Sequence, residues 1–132
     1  MHNTIYTATT NDIRISVETL YQEELSQPHR ADFVFAYRIT IQNNSPYTVQ
    51  LLRRHWHIED ATGDKREVKG EGVVGVQPVL QPNERHQYVS GAHLRAEVGQ
   101  MYGSFTMLRQ VDSALFEATI PRFVLQTSFK KN

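Results

Sequence analysis

Five large apolar residues follow one another at spacing two, and no other feature restricts the fold of this chain as strongly. They are Phe33, Phe35, Tyr37, Ile39 and Ile41, with Val34, Ala36, Arg38 and Thr40 between them. Successive side chains of a β-strand point to opposite faces of a sheet, so this period places all five residues on one buried face. We therefore predict a central strand over residues 32–43.

The next strand carries a change of phase. It is predicted over residues 48–59, and its apolar residues shift from one face to the other between Leu51 and Leu52. A β-bulge, which inserts one extra residue into a strand, accounts for such a shift. On this interpretation Leu52, Trp56 and Ile58 face the core.

Turn residues divide the remaining sequence into short segments. Gly63 predicts a hairpin turn over residues 60–64 with a returning strand over 66–68, and Pro82 with Asn83 predicts a turn over 80–84. Further strands are predicted over residues 87–90, 101–108, 115–120 and 123–127. Residues 18–26 also fit helical spacing, which leaves a short helix as an alternative there. Eight or nine short strands predict an all-β fold, an antiparallel β-sandwich.

Composition narrows the classes of function. The chain has 132 residues and no cysteine, which predicts a single domain over 1–132 and excludes disulfides and cysteine-based metal or catalytic sites. With 14 basic and 14 acidic residues the net charge is zero, so no bulk field draws the protein to nucleic acid. No segment approaches the roughly 20 apolar residues of a membrane span, and we expect a soluble cytoplasmic protein with loose ends at 1–4 and 129–132.

The segment Gly70-Glu71-Gly72-Val73-Val74-Gly75 has the G-x-G-x-x-G spacing of dinucleotide-binding loops. Such a loop leads into a helix whose N-terminus binds the pyrophosphate, and Pro78 would interrupt that helix at a cost of about 3 kcal/mol. The glycines are therefore predicted to mark a bulged crossover between strands. The alternative is a weak phosphate site, formed by successive backbone N–H groups beside Lys69.

His55 and His57 have a spacing of two, which places both imidazoles on one face of their strand. Such a pair can bind a divalent metal when a third ligand converges. Three residues are candidates for that ligand: His86, Asp60 and His93. Arg53 shares the face and opposes a cation, so we expect a solvated strand face without a metal and keep His55 and His57 as weak candidates.

The sequence offers no recognisable catalytic grouping. Ser90 and Ser104 lack the G-x-S-x-G context of a nucleophile elbow. The carboxylates between residues 59 and 67 surround a predicted hairpin loop, where no apolar pocket would raise a pKa for general acid catalysis. We expect a protein that is not an enzyme and needs no cofactor.

One pattern runs through several segments of the chain, and its most specific part is the block of residues 70–78, in which the glycine motif runs into Gln77-Pro78. The other segments are Phe33-Val34-Phe35-Ala36-Tyr37, Val49-Gln50-Leu51-Leu52, Arg54 with Trp56, Tyr88-Val89-Ser90-Gly91, residues 99–107 and Ile120-Pro121-Arg122-Phe123. Together these segments, over roughly residues 12–127, resemble the ApaG family. His55 and His57 stand where that family usually has aromatic or apolar residues, so a metal site there would be particular to this chain.

The resemblance implies a fibronectin type III or immunoglobulin-like sandwich, in a bacterial family whose name is attached to cobalt resistance and magnesium efflux. It also implies a likeness to domains of eukaryotic F-box proteins that look like protein-binding modules. We therefore predict a non-enzymatic protein–protein interaction module, linked to Co²⁺ and Mg²⁺ homeostasis without being a transporter. Its edge strands would also allow a homodimer by strand addition.

The alternative function is direct binding of a small ligand. A nucleotide or pyrophosphate would bind at Gly70–Gly75, or a divalent metal at His55 and His57. Under the first prediction the binding residues lie in the glycine segment and in the hairpin loop before it. They are Lys69, Gly70, Glu71, Gly72, Val73, Gly75 and Gln77, with Asp60 and Asp64.

Overall fold

The computed structural model describes residues 4–127, and these fold into strands joined by short loops. The predicted loose ends, apart from Thr4, lie outside the described residues. Within the described residues no helix is long and apolar enough to cross a membrane. The strands are β1 (Ile5–Thr10), β2 (Ile13–Tyr21), β3 (Phe33–Asn43), β4 (Val49–Asp60), β5 (Lys65–Glu71), β6 (Val79–Leu80), β7 (Arg85–Leu94), β8 (Val98–Arg109) and β9 (Ala114–Gln126).

The strands form two antiparallel sheets, which confirms the predicted all-β sandwich. One sheet has the order β1-β2-β3-β7, and the other has the order β5-β4-β8-β9 with β6 paired to β4 beyond the end of β5. A fibronectin or immunoglobulin type and a single domain over 1–132 stay predictions. The helical alternative for residues 18–26 is wrong, because β2 continues to Tyr21 and the segment between β2 and β3 holds two short 3₁₀ turns, Glu23–Leu25 and Pro28–Arg30.

The core lies between the sheets and rests on the alternation that the sequence displays. Every second residue of β3 from Phe33 to Ile41 is buried, as predicted. Across the interior, the ring of Tyr37 lies with its centroid 5.5 Å from that of Trp56 and 5.6 Å from that of Phe123. Fully burying each such side chain stabilises the fold by roughly 1.5–3 kcal/mol.

A bulge interrupts β4 where the phase of its sequence changes. The pairing with β8 shifts register between Leu51 and Arg53, which confirms the predicted bulge. The prediction that Leu52 faces the core is wrong, because Leu51 is the buried residue and Leu52 is only half-buried. Beyond the bulge the inward residues are Arg54, Trp56 and Ile58, so a cation shares the face that carries the core tryptophan.

A second bulge accommodates a proline within β9. The pairing between β8 and β9 shifts between Met101 and Gly103, and Pro121 lies in the bulged part of β9. The two strands predicted over 115–120 and 123–127 are therefore a single strand. The predicted turns are confirmed by positive φ angles of 92° at Gly63 and 72° at Asn83.

The two sides of the sandwich differ. On one side β1 and β9 approach each other, and the Thr119 N–H donates a 3.1 Å hydrogen bond to Oγ1 of Thr10. On the other side β5 and β7 are the last strands of their sheets. The interior is therefore reached between β5 and β7, next to the glycine segment.

Candidate binding site

The glycine segment forms a tight loop that covers the bulge of β4. The Leu52 carbonyl accepts hydrogen bonds from the Gly72 N–H at 2.8 Å and from Nε2 of Gln77 at 2.9 Å. The Leu51 N–H donates to the Pro78 carbonyl at 3.0 Å. The segment therefore crosses from β5 to β6 along β4, as the predicted crossover requires.

Two of the glycines serve this geometry. A Cβ atom on Gly70 would lie 2.7 Å from the guanidinium of Arg54, whose Nη1 donates to the carbonyls of Glu71 at 2.9 Å and Gly72 at 3.0 Å. At Gly72 φ is 62°, and a Cβ would collide with the Val76 carbonyl. The absence of a side chain at Gly70 thus leaves room for the Arg54 guanidinium, and its absence at Gly72 lets the chain return close to Val76.

The tip of the loop is a two-residue hairpin turn. The N–H groups of Val73 and Val76 each donate to the other's carbonyl, at 2.8 and 3.1 Å. Between them Val74 and Gly75 have φ angles of 45° and 79°, the pair of positive values that a type I′ turn requires. The N–H groups of Gly72, Val73 and Val76 are thereby used within the protein.

Val74 is held in a conformation that its side chain opposes. A β-branched residue with positive φ is a genuine outlier, and the left-handed region costs a residue with a Cβ about 1–2 kcal/mol. The same side chain is 64% exposed. The fold therefore holds a strained valine out to solvent, at a position where asparagine or glycine is usual.

A cleft opens beside this loop, between β5 and β7. It has a volume of about 360 Å³, and Tyr37, Arg54, Trp56, Val74 and Tyr88 line it. Aromatic and arginine side chains dominate the energetics of protein interfaces, so this lining is suited to anchoring a partner side chain.

The tyrosines of the cleft are buried among apolar groups. Burial raises the pKa of Tyr37, against the opposing effects of Ser90 and Arg54, and burial raises the pKa of Tyr88 above its ordinary range. The Tyr88 hydroxyl has no hydrogen-bond partner among residues 4–127. A buried hydroxyl without a partner costs about 1–3 kcal/mol, so the Tyr88 hydroxyl lowers the stability of the folded protein.

The other predicted residues of the glycine segment lie away from the cleft. Lys69 is exposed on the outer face of β5, where its Nζ is 3.5 Å from Oε1 of Glu67. Glu71 is exposed and accepts a 3.2 Å hydrogen bond from the side chain of Gln77. Of the predicted set only Val73 lines the cleft itself, with 1% of its surface exposed.

The hairpin loop with Asp60 and Asp64 lies at the other end of β5. The strand has seven residues, so this loop is roughly 20 Å from the glycine loop and forms no common surface with it. Desolvation would raise the pKa of Asp60, but hydrogen bonds from Thr62 and from the Arg95 N–H outweigh it and lower that pKa. Asp60 thus ties the turn to the loop after β7.

The two histidines meet a carboxylate that the sequence reasoning missed. On the outer face of the sheet, Nε2 of His55 lies 3.1 Å from Oε1 of Glu67, and Nδ1 of His57 lies 3.9 Å from Oε2. His86, Asp60 and His93 are not part of this cluster. The turn predicted over residues 60–64 is centred on Thr62, and a hairpin with that centre pairs His57 with Glu67. The sequence therefore allowed Glu67 to be recognised as the residue opposite His57.

Arg54, Tyr37 and Tyr88 were also not predicted as site residues. Arg54 could have been noticed, because a cation in phase with Trp56 departs from the alternation of an ordinary strand. For Tyr37 the alternation of its strand predicts only an inward position, and the strand predicted over 87–90 gives no orientation for Tyr88. Which inward positions border an opening depends on the strand order.

Fold and site together define a β-sandwich domain with a loop-bordered cleft between its sheets. The family model described as "ApaG domain" matches residues 23–109. The chain belongs to the ApaG family, as the resemblance of its segments implied.

Individual relatives support the same assignment. The chain is 52% identical to a Protein ApaG of Acidithiobacillus ferrooxidans over 86% of this chain and 89% of that protein. It is 45% identical to a Protein ApaG of Paramagnetospirillum magneticum over 96% and 97%. A crystal structure titled as the putative ApaA protein from Bordetella pertussis is similar with a TM-score of 0.86 and 36% identity, covering 92% of this chain and 98% of that one.

Proposed function

We propose that this protein is a non-enzymatic binding module that recognises an extended segment of another protein at the cleft between β5 and β7. Val74 carries the proposal. A strained backbone conformation persists only where the surrounding structure imposes it, and such residues cluster at functional sites. Val74 is strained in this way, and its side chain is exposed to solvent beside an aromatic cleft.

The edges of the cleft suit a peptide chain. β5 and β7 each have one side without a neighbouring strand within the described residues. An extended segment can add to such an edge through main-chain hydrogen bonds, while alternate side chains enter adjacent pockets. Val68, which is 38% exposed and lines the cleft, supplies an apolar contact beside the edge of β5.

The rival function, a nucleotide or pyrophosphate at Gly70–Gly75, has less support from the geometry. A phosphate cradle needs several free N–H groups that converge, and three N–H groups of this loop already donate within the protein. We also propose a link to Co²⁺ and Mg²⁺ homeostasis, which is supported by the family resemblance alone. In this proposal the protein acts on cation levels by binding a partner protein and not by transporting ions itself.

Site-specific photocrosslinking in cells tests this proposal. A photoreactive residue at position 74 is expected to form an adduct with a different protein, and the same residue at Val111, which is 73% exposed in the turn between β8 and β9, is the matched control. Val74→Asp in a chain carrying the crosslinker at position 68, which lines the cleft, should abolish the adduct, whereas Val111→Asp should not. An adduct between two copies of this chain, or equal adducts at 74 and 111, would overturn the proposal.

A further inference from the structure

A cluster on the outer face of the β5-β4-β8-β9 sheet lies outside the proposed cleft. His55 and His57 are two residues apart on β4, and Glu67 lies on β5 directly opposite His57. One ligand atom from each residue can be chosen so that all lie within 4.8 Å of one another. We propose that His55, His57 and Glu67 form a binding site for a divalent transition-metal ion of the zinc type.

The donor set determines the class of ion. Two imidazoles and one carboxylate are the protein ligands of many zinc sites in which a fourth position stays open to water or another ligand. Zinc–ligand distances of about 2.0–2.2 Å place the ligands of a tetrahedral site roughly 3.4 Å apart, so side-chain shifts on the order of 1 Å would close this cluster. Mg²⁺ prefers oxygen ligands in an octahedron and is not suited to this set.

The state of His55 is a second observation that points to a ligand. Its Nε2 atom is shielded from solvent and lies 3.1 Å from Oε1 of Glu67, so the imidazole nitrogen and the carboxylate oxygen already face each other. A metal ion between the two groups would replace this contact by a bond to each of them.

The surroundings hold the second imidazole in place. The ring of His57 stacks on Tyr102 at 4.9 Å with an interplanar angle of 14°. Tyr102 donates a 2.7 Å hydrogen bond to Glu59, and the Arg122 guanidinium lies over its ring, 4.0 Å from the centroid. His57 is thus oriented by packing before any ion binds, which lowers the entropy lost on coordination.

Two nearby cations oppose the site. Lys69 is 3.5 Å from Oε1 of Glu67, and Arg53 shares the outer face of β4. An ion must displace the ammonium group of Lys69 from the carboxylate, so removing that charge should tighten binding. Two substitutions on β5 should therefore have opposite effects on metal affinity: replacing Glu67 should weaken binding, and replacing Lys69 should strengthen it.

Calorimetric titration of the full chain with Zn²⁺, Co²⁺ and Mg²⁺ tests the proposal. We expect one Zn²⁺ per chain, a visible Co²⁺ absorption band of a four-coordinate ion that Zn²⁺ abolishes, and no heat with Mg²⁺. His57→Ala and Glu67→Gln should each weaken Zn²⁺ binding by about tenfold or more, because even outer partners of metal ligands contribute about 10–100-fold. Lys69→Met should strengthen it.

The control is His93→Ala, which removes a surface imidazole that is paired with Asp32 at 2.9 Å, at the far end of β7. It should leave Zn²⁺ affinity unchanged. Melting temperatures without metal verify that each variant is folded, and Glu67 is half-exposed, so its replacement by glutamine preserves the packing. Absence of Zn²⁺ and Co²⁺ binding, parental affinity in folded Glu67→Gln, or equal losses in His93→Ala and His57→Ala would overturn the proposal. None of these outcomes bears on the protein-binding cleft.

Discussion

At the scale of single residues, the glycine motif has a structural explanation that its spacing alone conceals. Gly70 leaves room for the Arg54 guanidinium, Gly72 allows the chain to return past Val76, and Gly75 completes a two-residue turn. Only Val74 departs from what this geometry favours. The strain therefore lies at one exposed side chain, and it can be removed without touching the core.

Val74→Asn should raise the free energy of unfolding by about 1 kcal/mol, because Asn-Gly is the preferred pair of a type I′ turn. Urea denaturation of the two proteins measures the difference. Val76→Asn is the matched control, since Val76 is exposed in the same loop without a positive φ, and it should change stability by less than about 0.5 kcal/mol. A Val74→Asn protein less stable than the parent would contradict the assignment of strain to this residue.

At the scale of elements, alternation predicts strands well and bulges only in part. The period of two located β3 almost to the residue, and the change of phase located the bulge of β4. The pattern could not decide which of Leu51 and Leu52 faces inward, because both are apolar and an inserted residue can point either way. Likewise Pro121 suggested a break between strands, whereas the bulge there carries one strand past it.

Adjacent leucines provide a test of the bulge. Leu51→Ala should lower the free energy of unfolding by about 2–5 kcal/mol, since Leu51 is 1% exposed and its truncation leaves a cavity. Leu52→Ala should cost about 1 kcal/mol or less, because its half-buried side chain lies outside the core. Chemical denaturation measures both changes, and equal m-values in the two variants and the parent would show that their free energies of unfolding can be compared. The reverse order of effects would place the bulge one residue away.

At the scale of the whole molecule, the site follows from which strands end the sheets. The β1 and β9 side is closed, whereas the β5 and β7 side exposes an interior lined by Tyr37 and Tyr88. The sequence predicts that Tyr37 faces inward, but strand order depends on contacts between distant segments, which local patterns do not encode. The glycine loop and the loop with Asp60 and Asp64 lie at opposite ends of β5 for a local reason, because that strand has seven residues where the sequence predicts a strand over 66–68.

The buried tyrosines predict a loss of stability in alkali. Burial raises the pKa of Tyr37 and of Tyr88 in the folded protein above the ordinary value near 10. Their contribution is fully present below about pH 10 and is lost as the pH rises above it, because the unfolded chain then releases protons that the folded protein keeps. Urea unfolding between pH 8 and roughly pH 11 should show this decline.

Tyr88→Phe is the comparison for that profile. The decline should become shallower, and at neutral pH the variant should be as stable as the parent or more stable by about 1 kcal/mol, because it removes an unpartnered buried hydroxyl. An unchanged alkaline profile in Tyr88→Phe would show that this tyrosine ionises freely in the folded protein.

We propose that residues 70–78 border a site for a protein contact and do not form a phosphate-binding site. Backbone amide NMR spectra of the ¹⁵N-labelled protein, recorded during titration with pyrophosphate and with ATP, test it most directly. We expect the amide signals of Val74, Gly75 and Gln77 to stay in place. Saturable shifts of these three signals, absent from a turn such as residues 110–113, would contradict it.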